Sequence, residues 1–136
     1  MIQLDWDNTQ RTIIRYTFVD PWTWEDYYAT NVKRDAMFNS TDQIIDIILD
    51  FSMGRHIPPQ AMLHFRKAAS WDSPQRGVVI VIGVSVLLQA LANIMISVYP
   101  QAALKTPRPA KNLPDAHRMI WEIRLKREKA KSGLSN

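Results

Sequence analysis

The chain has 136 residues, enough for one compact domain and too few for a TIM barrel or for a dinucleotide domain joined to a separate substrate domain. With 46% apolar and 22% charged residues it is globular, and a chain of this size buries roughly two thirds of its unfolded surface. It has no cysteine, which excludes disulfides, thiolate metal sites and a cysteine nucleophile and fits a reducing, cytoplasmic location; the net charge is +4.

The N-terminus carries neither a basic region nor an apolar segment, so it is not read as a signal peptide. Ile2 to Trp6 alternates as a strand does, Asp7 to Gln10 is turn material, and Thr12 to Phe18 alternates again with Ile14, Tyr16 and Phe18 on one face. These segments predict an N-terminal hairpin. Thr23 then caps a helix, with Asp26 as its capping-box partner and Trp22 placed to staple against Tyr27. Trp24, Tyr28, Val32 and Ala36 are the expected packing stripe. Ile44 to Phe51 is apolar on both faces and predicts a central strand. Pro59 suits the first turn of a helix running to about Ser70, with Met62, Phe65 and Ala69 on its core side.

Gly77 to Leu104 contains no charged residue. Its length alone fits a membrane span. Val78 to Ile82, however, is entirely β-branched and closes on Gly83, as a buried parallel strand does. Beyond it Ser85, Gln89, Asn93 and Ser97 form one polar stripe at helical spacing, which a lipid-facing helix does not need. The run therefore predicts a strand, a tight turn and a half-buried helix to Pro100, with no membrane span. Ala102 to Thr106 is the expected last strand, and Pro107, Pro109 and Pro114 bracket a linker. Asn112 caps a final helix with Asp115 at its third position, and Ala116, Met119, Ile120 and Ile123 form its packing face.

The predicted order is β-β-α-β-α-β-α-(β)-α, an α/β fold with a mostly parallel sheet, an N-terminal β-hairpin and four helices. That order, the phrase Leu49-Asp50-Phe51-Ser52 and the ending Asn112-Leu113-Pro114-Asp115-Ala116 resemble the STAS domain, the fold of sulfate-transporter C-termini and anti-sigma-factor antagonists. The resemblance covers about residues 2 to 125. It gives a single STAS-like domain at 1–125, followed by a basic helix end and frayed tail at 126–136. It implies a regulatory, protein-binding role. In that family a serine at the start of the helix after this strand is phosphorylated by a partner kinase. The matching turn here is Pro58-Pro59-Gln60-Ala61, which has no hydroxyl to phosphorylate. Ser52 is near but does not match that position.

Open parallel sheets bind ligands beyond the carboxyl ends of their strands. Two such ends, at Ser52 and Gly83, are expected at one edge. Ser52, Met53, Gly54, Arg55, His56, Ile57 and Gln60, with Gly83, Val84 and Ser85, are thus the candidate partner-binding residues, with Met53 and Ile57 as exposed apolar contacts. Gly83-Val84-Ser85 is half of a nucleophile elbow, but Leu87 stands where the second glycine belongs. Asp115 and His117, two apart on one helix, point different ways, so a serine hydrolase at Ser85 is the weakest alternative. His56, His64 and His117 make no metal-binding spacing, and neither a metal nor another cofactor is expected. Asp46, inside an apolar strand, requires a charged or hydrogen-bonding partner.

Residues 1–50 hold 9 acids against 4 bases, and residues 51–136 hold 4 acids against 13 bases. The bases concentrate at Arg124, Lys126, Arg127, Lys129 and Lys131. This basic tail offers an alternative function, binding nucleic acid or another acidic partner. It lacks interleaved aromatics for base stacking, and nucleic acid is the less favoured partner. An acidic half and a basic tail on one chain also permit a homodimer. The reading favoured by the sequence is a non-enzymatic protein-interaction module with a protein partner.

Overall fold

The computed structural model describes residues 1–83 and 107–132. Strands β1 (Ile2–Trp6) and β2 (Ile13–Val19) form the expected hairpin, paired antiparallel from Ile2↔Phe18 to Trp6↔Ile14. Helix α1 (Trp24–Asn39) leads to β3 (Ile45–Met53), and α2 (Ala61–Ser70) leads to β4 (Arg76–Ile82). β5 (Arg108–Ala110) precedes α3 (Leu113–Ser132). The sheet has the order β1-β2-β3-β4-β5, and every pairing after the hairpin is parallel. The fold is α/β with a mostly parallel five-stranded sheet.

A parallel sheet that grows in one direction through right-handed crossovers carries its crossover helices on one face. Met37 and Phe38 of α1 and Phe65 of α2 accordingly pack over Ile14, Tyr16, Phe18, Ile47, Val79 and Val81. The other face carries Ile13, Ile48, Ile80 and Ile82, closed by Ala116 and Ile120 of α3 with Met119 and Ile123 at the margin. Two-sided burial explains why β3 and β4 read as continuous apolar runs.

Four expectations change. Among the described residues there are three helices rather than four; the helix expected from Ser85 to Pro100 lies outside them. The expected α1 stripe is out of phase, since Val32 is 71% exposed and Ala36 is also exposed. A strict i, i+4 line turns about 40° per step at 3.6 residues per turn, so it leaves the core face within three steps. The core-facing line is Tyr27, Asn31, Arg34 and Phe38, the first two half-buried and the last two buried, and Asn31 and Arg34 interrupt its apolar pattern. Its guanidinium lies 3.9 Å from the Trp71 ring centre and pairs with Asp35 at 3.1 Å. Residues 108–110 form β5 where a linker is expected, and the strand expected from Ala102 to Thr106 lies outside the described residues. An edge strand bonds on one side only, so Pro109 is tolerated opposite Val81. The capping box at Thr23 and Asp26 forms, but Trp22 packs on Phe18, Trp24 and Phe51 rather than stapling to Tyr27.

Asn112 caps α3 by accepting the Asp115 N–H at 2.9 Å. The Lys111 N–H and then Arg118 hold the Asp115 carboxyl below its ordinary range. A depressed folded-state value stabilises the protein above the ordinary carboxylate range, and the benefit is lost as pH falls through the folded value. A carboxyl-carbon NMR titration should show Asp115 titrating below a free aspartate, with the shift reduced in Arg118→Ala. A midpoint at the free value removes this account of the cap.

Candidate functional site

The carboxyl ends of β3 and β4 meet as the sequence predicts. Asp50 is in register with Ile82, and Gly83 follows at φ +75°. A Cβ on Gly83 would stand 2.6 Å from the Ser52 amide nitrogen. Glycine is therefore required both for the positive φ and for the close approach.

The loop after β3 is held by the strands beneath it. The Ser52 amide donates to Asp50 Oδ1 at 2.9 Å, and the Ser52 hydroxyl bonds the same oxygen. Gly54 is buried against Phe18, and its carbonyl accepts the Trp22 indole N–H at 3.0 Å. The Asp20 amide donates to the Met53 carbonyl at 2.9 Å, and the Asp20 carboxylate accepts the His56 N–H at 3.2 Å. The anchored backbone leaves Ser52, Met53, Arg55, His56 and Gln60 exposed, Met53 by 59%. Ile57, expected to be exposed, is half-buried against the core because its loop folds back on the aromatic cluster. Gln60 precedes α2 at φ +65° without capping it, and the Trp24 indole N–H donates to the Pro59 carbonyl at 2.8 Å. Val84 and Ser85 lie outside the described residues, as does the elbow built on them. The sequence reading missed Asp20, Asp50 and Trp22 as supports of this loop. The available signal was Asp20 at the end of β2, a third strand end at the same edge.

Asp46 finds its partners on α3. Its fully buried carboxylate takes Arg124 Nε at 2.9 Å, Arg127 Nη2 at 2.5 Å and Nη1 at 3.2 Å, and the Val78 N–H at 2.8 Å. Arg124 also donates to the Thr12 carbonyl at 2.8 Å. Two of the five tail bases thus hold α3 to the sheet, while Lys126, Lys129 and Lys131 are exposed. Gly77 makes room for this cluster, since a Cβ there would lie 2.0 Å from Asp46 Oδ1.

An open concavity of about 260 Å³ lies between the hairpin turn and α3, lined by Asp7, Ile13, His117, Ile120, Trp121 and Arg124. His117 Nε2 meets the Asp7 carboxylate at 2.5 Å, and Arg15 pairs with the same carboxylate at 3.3 Å. This resembles the base and orienting acid of a hydrolase, yet no hydroxyl nucleophile is among these lining residues. Asp115 faces Arg118 instead, so it and His117 do point apart.

Burial pushes the Tyr16 and Tyr27 hydroxyls upward, so both remain neutral. Tyr16 donates to Asn31 Oδ1 at 2.7 Å and acts in packing. Among the described residues no group of three or more histidine, aspartate or glutamate side chains is placed to hold a metal ion, and no helix is long and apolar enough to cross a membrane. Compared with known proteins, the chain matches no family model, no curated protein and no solved structure.

Proposed function

We propose that the chain is a non-enzymatic, STAS-like interaction module of the cytoplasm, docking a protein partner on the Ser52–Gln60 loop beside Gly83. The observation that carries this reading is the loop's construction. Its backbone is pinned by Trp22 and Asp20 while Met53, Arg55 and His56 stand exposed. A preformed loop loses little conformational freedom on docking. A thioether beside two basic side chains fits a partner segment carrying an apolar residue next to a carboxylate. With no hydroxyl at 58–61, docking is not switched by phosphate at the position the STAS resemblance marks.

A photo-crosslinking residue at Met53 should trap one partner in native cells, and the same residue at exposed Val32 should not. Arg55→Ala with His56→Ala should lower that crosslink about 3- to 10-fold. Equal trapping from positions 53 and 32, or no change in the double variant, removes this face from consideration.

A further inference from the structure

The two edges of the sheet formed by the described residues are treated differently. β5 is three residues long and carries Pro109 and Arg108, which blunt it against further pairing. β1 is five residues long, has no proline, lysine or bulge, and among the described residues pairs only with β2. The Met1 carbonyl accepts from the Val19 N–H at 2.8 Å, and the Asp7 N–H donates to the Ile13 carbonyl at 2.8 Å. In an antiparallel ladder the bonded pairs alternate, so Met1, Gln3, Asp5 and Asp7 direct their backbone groups at β2. Ile2, Leu4 and Trp6 direct theirs outward, away from the sheet.

We infer that β1 pairs antiparallel with β1 of a second copy of this chain, about a two-fold axis at Leu4, joining two sheets into one. Outward-directed residues must face outward-directed residues, and one such register uses the whole strand. Ile2 then faces Trp6, and Leu4 faces Leu4, each pair exchanging two N–H···O bonds. The half-buried Ile2 and Trp6 side chains cover each other on the aromatic-core face. On the other face Gln3 stands opposite Asp5, so the register sets no like charges together. A two-fold contact of this kind closes on itself and adds no further copies. Lys33 pairs with Asp5 at 3.6 Å beside this edge; both side chains are more than half exposed, and Lys33 swings aside on pairing. The contact uses none of the residues assigned to partner docking.

Light scattering from about 1 μM to about 1 mM, the range that brackets transient contacts, tests the inference on the full chain. The expected result is a monomer–dimer equilibrium with amide exchange at Ile2, Leu4 and Trp6 slowing as dimer forms. Gln3→Glu, at an exposed position, places a carboxylate opposite each Asp5 and should raise the dissociation constant roughly 2- to 30-fold. Gln3→Lys should lower it by a similar factor, and added salt should shrink both effects. A monomer throughout the range overturns the inference. So does a dimer indifferent to both substitutions, which would join through another face.

Discussion

Arg124→Ala combined with Arg127→Ala is expected to destabilise the protein by about 3–5 kcal/mol, the cost of leaving a buried carboxylate without its charged partners. Asp46 is wholly inaccessible to water, so it cannot rehydrate where it stands. Asp46→Ala should cost less, because Arg124 and Arg127 are about one third exposed and turn back to solvent. What remains is the Val78 N–H without its acceptor, worth about 1–3 kcal/mol. Adding Asp46→Ala to the double arginine variant should therefore restore stability. Gly77→Ala gives an independent check through its clash with Asp46 Oδ1. It should be strongly destabilising in the natural sequence and much milder with Asp46→Ala, a non-additivity that a double-mutant cycle reads directly. Urea denaturation supplies all of these values. A double arginine variant within about 0.5 kcal/mol of the natural protein would show that the ion pairs do not hold α3.

Local rules recovered the elements whose reasons are local. The β1–β2 hairpin follows from alternation at Ile14, Tyr16 and Phe18, and the α1 start follows from Thr23 and Asp26, three residues apart. The α1 packing face is not legible from i, i+4 spacing because it runs through Arg34. Arg34 is buried under Trp71, a residue that lies beyond the next strand and helix of the chain. β5 is not legible at 108–110 for a related reason: proline forbids a central strand locally, but edge position is a property of the completed sheet. Asp46 shows the same boundary within one site. Its apolar surroundings in the sequence demanded a partner, and that demand is local. The partners lie 78 and 81 residues further on, brought back by the return of α3 across the second sheet face. The meeting of Ser52 with Gly83 was legible because parallel strands place their carboxyl ends together. The supports of the loop are legible only in part: Asp20 follows β2, which runs parallel beside β3, whereas the Trp22 bond to Gly54 depends on how the chain turns after β2.

Gly54→Ala should damage both stability and partner docking, whereas Met53→Ala, one residue earlier, should affect docking alone. A Cβ on Gly54 would meet the Phe18 Cβ and carbonyl oxygen at 2.6 Å, and the backbone part of that contact cannot rotate aside. Phe18 is itself fixed, stacked on Phe51 with ring centres 4.1 Å apart and edge-on to Trp22 at 4.8 Å. The strain must therefore lift the loop. Overpacking of this kind costs about 1–3 kcal/mol. Loss of the buried Trp22–Gly54 hydrogen bond adds about 1 kcal/mol. Met53 is exposed, so its truncation should stay within about 0.5 kcal/mol of the natural stability. Thermal unfolding separates the two variants, and exchange at the Trp22 indole N–H reports whether the loop has lifted. In Gly54→Ala that proton should exchange faster, and the partner crosslink should fall even though every exposed side chain of the loop is retained. Undiminished crosslinking with a rapidly exchanging Trp22 would mean that the partner does not read the loop's fixed shape. Docking would then have to be assigned to side chains that tolerate its movement.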